Sequence, residues 1–186
     1  MAKDPKRVRA GKKSRNKGAG FERQVAKIIT SFFGFPYEAA PRTPRSGGGS
    51  RKGDIDKLDD DFRRIFPFHI EAKKVEGWRL ETLFAQDEDT LPAFLHSWWD
   101  QATEDCPSDE IPIVVFSKNL APKFVLLDAI WIRNRLGPKY REIKLTIRKI
   151  ASPYISIRGE LYITTLEDFL YVWKCVLRRA GDWEDD

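Results

Sequence analysis

The chain has 186 residues, of which 41% are hydrophobic and 12% aromatic, enough to build one folded domain and to exclude a wholly disordered protein. No apolar run approaches the ~20 residues of a membrane-spanning helix, and the basic N-terminus lacks the apolar stretch of a secretory signal. The two cysteines and two histidines follow no metal-ligand spacing. They therefore exclude a convincing zinc site and favour a reduced, cytoplasmic protein.

Positive charge is concentrated at the N-terminus. Residues 1–20 carry eight lysines or arginines and one acid, whereas the remainder of the chain sums to about −2. We expect residues 1–16 to form a flexible basic arm, residues 17–180 a single domain, and residues 181–186 an acidic tail. A basic arm on a near-neutral body favours a polyanionic partner, with a solubilising tail as the alternative.

Helical periodicity begins directly after the arm. One apolar stripe predicts a first helix that ends near Gly34; its members are Phe21, Val25, Ile28, Ile29 and Phe32. A basic glycine-rich loop follows over 45–53. The pattern then predicts a short strand over 54–58, a turn over 59–61 and a second strand over 65–73, whose apolar and polar residues alternate.

The sequence pattern in the second half of the chain predicts two helices with further strands between them. In chain order, the patterns indicate a helix over 91–105 capped by Thr90, strands over 111–116 and 124–132, a hairpin of 143–147 with 155–157, and a helix opened by Thr165. Together the elements predict an α/β fold with a central mixed β-sheet flanked by helices.

Three acids and a lysine could carry out chemistry together. Glu71 and Lys73 share one face of the predicted strand, about 6–7 Å apart along it. If the two strands pair, Asp54 lies beside Glu71. These carboxylates and the Ala72 carbonyl are hard oxygen ligands that suit Mg²⁺ or Mn²⁺, and Glu22 on the first helix could complete the shell. Such an ion activates water against a phosphodiester, and a nearby lysine can assist it.

The order of these residues resembles a known family. The segments 17–23 (KGAGFER), 45–54 (RSGGGSRKGD) and 70–73 (IEAK) resemble the archaeal Holliday junction resolvases and their phage relatives, in the PD-(D/E)xK nuclease superfamily. The resemblance covers about residues 17–118. The stretch of about 125–180 is longer than the compact pattern of the family and reads as a C-terminal extension.

The resemblance implies a restriction-endonuclease-like core and dependence on Mg²⁺, for which Mn²⁺ can substitute. It also implies a homodimer that nicks two strands symmetrically across a four-way DNA junction. Glu22, Asp54 and Glu71 become metal ligands and Lys73 the catalytic lysine.

The glycine-rich loop matches the family less closely. Ser50, or alternatively Ser46, corresponds to the family's loop serine, and Arg45 to its basic residue. The loop is one glycine longer than the family pattern, and Gly53 stands where the PD label has proline.

Basic residues around the loop and in the arm are candidate phosphate contacts. They are Arg42, Arg45, Arg51, Lys52, Lys74, Lys12, Lys13, Arg15 and Lys17. Gln101, in the middle of the second predicted helix, is a further candidate for the metal site or for DNA. A solvent-facing position is the alternative for Gln101, and a solvated strand end is the alternative for Lys74.

Several alternatives stay open from the sequence. Asp56 lies on the same face of the predicted strand as Asp54, so it is an alternative candidate for the metal ligand. His69 shares the face of Glu71, but partial burial or solvation fits it better than catalysis. The chain could be another nuclease of the superfamily, of repair, flap or restriction type. It could also be a nucleic-acid-binding protein without catalysis, or a structural protein that needs no metal.

Overall fold

The computed structural model of the protein describes residues 5–43, 53–79, 93–128, 155–157 and 161–184, with side chains from residue 16 onward, those of 155–157 excepted. The helices are α1 (Pro5–Phe32), α2 (Asp60–Ile65), α3 (Ala93–Asp105) and α4 (Leu166–Ala180), with a 3-10 turn at Tyr37–Ala39. The strands are β1 (Phe68–Lys74), β2 (Ile111–Ser117), β3 (Phe124–Asp128), β4 (Ile155–Ile157) and β5 (Leu161–Thr165).

The five strands form one mixed sheet in the order β1-β2-β3-β5-β4. β1 pairs with β2 in parallel, whereas the other pairs are antiparallel. The predicted α/β architecture with a mixed sheet is therefore confirmed. β1 is an edge strand of this sheet, which leaves its outer side available to the segment around residue 54.

Helices cover both faces of the sheet. On one face α1 and α4 pack against β1, and the buried contacts include Phe21, Val25, Phe68, Ile70, Leu170 and Trp173. On the other face α3 packs against the middle strands, and the buried contacts include Leu95, Ala102, Val114, Phe116 and Leu126. Each buried aliphatic or aromatic side chain contributes about 1.5–3 kcal/mol, so both layers stabilise the sheet.

Among the described helices, none is long and apolar enough to cross a membrane.

The buried stripe of α1 differs from the predicted one. The buried side chains are Phe21, Glu22, Val25, Ala26, Ile29 and Thr30, whereas Ile28 is 36% exposed. The buried stripe is thus shifted around the helix by about one residue from the predicted one. As a result, Glu22 lies on the face of α1 that packs against the core. The helix also begins at Pro5, well before the apolar periodicity. The mobility of residues 1–16 stays a prediction.

The region before β1 corrects three predictions. Asp59 caps a short helix, because its side chain accepts a hydrogen bond from the Phe62 amide over 2.8 Å. The acidic run predicted as a turn therefore opens α2, and Ile65 ends that helix instead of starting a strand. The predicted strand over 54–58 is reduced to a single bridge between Ile55 and Arg42.

The second half of the chain follows the predictions more closely. β2 is buried along its whole length, and Thr165 caps α4 through the Asp168 amide. β4 pairs with β5, with Ile155 opposite Ile163, a pairing that the predicted hairpin did not include. The first strand of that hairpin, 143–147, lies outside the described residues, as do Thr90 and residues 129–132.

Candidate active site

Asp54 lies beside β1, along the edge of the strand that does not pair with β2. The Asp54 amide donates to the Ile70 carbonyl over 3.0 Å, and the Ala72 amide donates to Asp54 Oδ2 over 2.8 Å. A carboxylate oxygen thus replaces the carbonyl that a neighbouring strand would supply. This explains why the segment follows β1 without forming a regular strand, and it places Asp54 next to the Glu71–Ala72 peptide.

Glu71, Lys73 and Gln101 form one hydrogen-bonded triangle. Lys73 Nζ donates to Glu71 Oε1 over 2.5 Å and to Gln101 Oε1 over 2.8 Å. Gln101 Nε2, on α3, donates to Glu71 Oε1 over 3.0 Å. The predicted common face of Glu71 and Lys73 is therefore confirmed. Gln101 is exposed and contacts both residues, and its part in the metal site or in DNA binding stays a prediction.

Asp54 and Glu71 repel each other. Burial raises the pKa of Glu71, and the charge of Asp54 raises it further, while Lys73 acts in the opposite direction. Glu71 is 5% exposed and Asp54 8% exposed. Two carboxylates held this close in a poorly hydrated place lower their free energy by sharing a cation or a proton.

Glu22 is held by a different partner. It is 1% exposed, and its Oε2 accepts a charged hydrogen bond from Arg42 Nε. Arg42 also pairs through its backbone with Ile55, and the neighbouring Thr43 amide donates to the Asp54 carbonyl over 2.9 Å. Arg42 therefore connects Glu22 on α1 to the segment that carries Asp54.

Asp54 and Glu71 fit a hard divalent cation. Both offer carboxylate oxygens, and an ion between them would relieve the repulsion that raises the pKa of Glu71. The Ala72 carbonyl points to the same edge as the Ala72 amide, because both polar groups of one strand residue face one side. Within the described ranges, however, no three His, Cys, Asp or Glu side chains stand close enough together to hold a metal ion. The role of Glu22 as a third ligand stays a prediction.

Several predicted catalytic and DNA-binding residues fall outside the described residues. These are Ser50 (and Ser46), Arg45, Arg51 and Lys52 in the glycine-rich loop. The backbone of Lys12, Lys13 and Arg15 belongs to α1, and their side chains lie outside the described part. Their roles stay predictions.

Two predicted phosphate contacts lie at the carboxyl end of β1. Lys74 Nζ donates to the Lys118 carbonyl over 2.9 Å and lies 5.5 Å from the centre of the Phe21 ring. Lys17 forms an ion pair with Glu76 at 2.6 Å. Burial lowers the pKa of Lys74, and the charges of Lys17 and Lys123 act in the same direction. The charge of Glu76 opposes this shift, so lysines and an acid lie together at this end of β1.

A buried ionic network at the other end of β1 was missed by the sequence analysis. Lys57, 5% exposed, donates to the carbonyls of Phe66 and Phe68 over 3.2 and 3.0 Å and pairs with Glu110 at 2.9 Å. His69 Nδ1 lies 3.5 Å from the second oxygen of Glu110. These residues line part of a cavity of about 470 Å³. Sequence spacing gives no signal for this network, because its members come from three separate segments.

Glu110 gives the fold a pH dependence. Burial acts to raise its pKa, but the hydrogen bond from His69 and the charge of Lys57 outweigh it and lower the pKa from 4.5 to about 2. The ionised form is therefore preferred in the folded state. The stabilisation it contributes is present above pH 4.5 and is lost as the pH falls through that range towards about 2.

We expect Glu110→Gln to lower the free energy of unfolding at neutral pH by on the order of 1–3 kcal/mol. The difference from the unmodified protein should vanish near the lower end of the pH range, where Glu110 is protonated in both states. Urea unfolding at a series of pH values measures it. Asp61→Asn, at an exposed position of α2, is the control. A difference that is constant with pH would contradict the role of the Glu110 charge.

Comparison with known proteins gives one family. No curated protein and no solved structure matches the chain at a significant level. The model of one protein family, described as "Phage putative PDDEXK endonuclease", matches residues 13–177. This match includes α1 from residue 13 onward, the edge around Asp54, the whole sheet and most of α4. The chain therefore belongs to this family of phage PD-(D/E)xK endonucleases.

Proposed function

We propose that the protein is a metal-dependent, structure-selective DNA endonuclease that resolves four-way junctions as a homodimer, by paired symmetric nicks. The observation that carries the nuclease part is the arrangement at the edge of β1, where Asp54 lies beside Glu71 and Lys73 contacts Glu71. The family membership supports an endonuclease. The junction and the dimer are supported by the resemblance of the three sequence segments.

In this proposal Asp54, Glu71 and the Ala72 carbonyl would hold Mg²⁺, or Mn²⁺ in its place, with support from Glu22. A divalent cation held there would supply a Lewis acid for the scissile phosphate. Lys73 Nζ orients the attacking water or balances the charge that develops on the phosphate. Gln101 keeps Glu71 and Lys73 in place, since it donates to one and accepts from the other.

In this proposal DNA lies across the carboxyl end of β1 and the loop, and the protein acts in the cytoplasm. Lys74 follows Lys73 on β1 and has Lys17 as a charged neighbour, and the ion pair of Lys17 with Glu76 can exchange for a phosphate. Such contacts read the shape and charge of the backbone and not the base sequence. That manner of binding suits a branched substrate.

The test uses a synthetic four-way junction and a duplex of equal length, each labelled on every strand in turn. We expect paired nicks at opposed positions of the junction, only with Mg²⁺ or Mn²⁺, and none with Lys73→Ala. Sedimentation of the protein with and without the junction measures the dimer.

Three other outcomes would contradict the proposal. Equal cleavage of flapped or linear DNA would assign the protein to another nuclease activity of the superfamily. Junction binding without any cleavage would leave a binding protein without catalysis. Neither cleavage nor preference for branched DNA would indicate a structural protein.

A further inference from the structure

The residue before Asp54 lies against a histidine ring. Gly53 has φ = +103°, and a Cβ placed there would lie 2.6 Å from His69 Cε1 and 3.2 Å from each ring nitrogen. A Cβ does not approach a ring this closely in proteins, so the ring or the chain would have to shift. Glycine at this position is therefore required by the neighbouring ring as well as by the backbone angle.

The His69 ring is fixed in its place. His69 is 3% exposed, and its Nδ1 faces Glu110, which is itself paired with the buried Lys57. Within the described part of the chain, Nε2 is buried without a hydrogen-bond partner. Packing and the contact with Glu110 therefore orient the ring.

The ring is directly connected to the candidate metal ligand. Gly53 is bonded to Asp54, whose backbone and side chain bind the Ile70 carbonyl and the Ala72 amide. His69, Ile70 and Ala72 belong to the same strand. Asp54 is thus held from one side by the edge of β1, while the His69 ring limits where the preceding residue can lie.

We propose that His69 is a positioning residue for Asp54: its ring sets the path of the chain at Gly53 and so keeps the Asp54 carboxylate beside Glu71. The inference rests on the proposed function of the site. It goes beyond that proposal, because it assigns a role to a residue that touches neither metal nor DNA. It predicts that changes at His69 weaken metal binding and spare both DNA binding and the chemical step.

The first test measures the metal affinity and the nicking rate separately. We expect His69→Ala to raise the Mn²⁺ concentration for half-maximal nicking by about 10–100-fold, the usual range for residues that orient metal ligands. The nicking rate at saturating Mn²⁺ and the junction affinity without metal should stay within about twofold. Calorimetric titration of the DNA-free protein with Mn²⁺ should show the same loss. His96→Ala, on α3, is the matched control.

The second test measures whether the effect of a substitution at Gly53 depends on the His69 ring. Gly53→Ala should weaken Mn²⁺ binding strongly in the unmodified protein and less in the His69→Ala background, where the ring no longer stands in the way. Gly77 has a similar φ of +91° with nothing within 4 Å, so Gly77→Ala measures the effect of the backbone angle alone. If Gly53→Ala does not fold by itself, folding of the double variant supports the inference.

Other results would overturn the inference in distinguishable ways. If the unmodified protein binds Mn²⁺ and nicks DNA but His69→Ala keeps its Mn²⁺ affinity, the inference fails and the proposed function stands. Equal effects of Gly53→Ala in both backgrounds would also refute the inference. If the unmodified protein neither binds Mn²⁺ nor nicks DNA, both fail, and the activity assay alone shows it.

Discussion

Replacing Lys73 with methionine is expected to lower the rate of metal-dependent cleavage by about 10²–10⁴-fold. The ammonium group contacts both Glu71 and Gln101, and its side chain is only 20% exposed, so it lies inside the candidate site. Methionine keeps most of the side-chain length and removes the charge. Single-turnover nicking of the junction at saturating metal measures the change, and junction affinity in the absence of metal should hardly change.

Lys27→Met is a suitable control, because Lys27 is an exposed lysine of α1 whose ammonium lies 5.7 Å from the Tyr37 ring centre. It should cleave at the normal rate. A Lys73→Met protein that cleaves within a few-fold of the unmodified one would show that the ammonium takes no part in the reaction.

Asp54→Asn is expected to have the largest effect, a loss of cleavage of at least about 10³-fold, since a bound metal ion contributes several kcal/mol to such a reaction. The asparagine oxygen can still accept the hydrogen bond from the Ala72 amide, so the edge of β1 keeps its geometry and only the charge is lost. Junction affinity should stay equal or increase, because a negative charge facing phosphates is removed. Gel-shift titration alongside the cleavage assay measures both effects.

Asp56→Asn is the matched control two residues further along. Asp56 lines the cavity at the other end of β1, with Lys57 and His69, and its amide donates to the Pro41 carbonyl over 2.8 Å. We expect normal cleavage. An inactive Asp56→Asn together with an active Asp54→Asn would show that the wrong aspartate has been assigned as the ligand.

The neighbours of Glu71 could be predicted from the sequence because they depend on simple geometry. Alternation along a strand places Glu71 and Lys73 on one face, and their contact is present in the structure. Asp54 lies beside the Glu71–Ala72 peptide as expected, but two hydrogen bonds to the edge of β1 hold it there, because the predicted paired strand does not form. Buried strands such as β2 were equally predictable, since seven consecutive buried residues leave a continuous apolar run in the sequence.

The partners of the buried charges could not be predicted. Glu22 pairs with Arg42, twenty residues away along the chain, and Glu110 joins Lys57 to His69. Each pair depends on how separate elements pack together, and sequence periodicity contains no information about that. The helix α2 was missed for a local reason: three successive aspartates favour both turns and helix N-termini, and the capping hydrogen bond of Asp59 decides between them.

The hydrogen bond from Thr43 to Asp54 joins the two ends of the glycine-rich stretch between them. This hydrogen bond keeps the two ends of the stretch together whatever the sequence between them. Doubling the length of the stretch would cost only about 0.6 kcal/mol of loop-closure entropy. Insertions and deletions of glycine or serine can therefore accumulate there without displacing the aspartate. In the proposed function, such changes would alter how far the stretch extends towards DNA while the edge that holds Asp54 keeps its geometry.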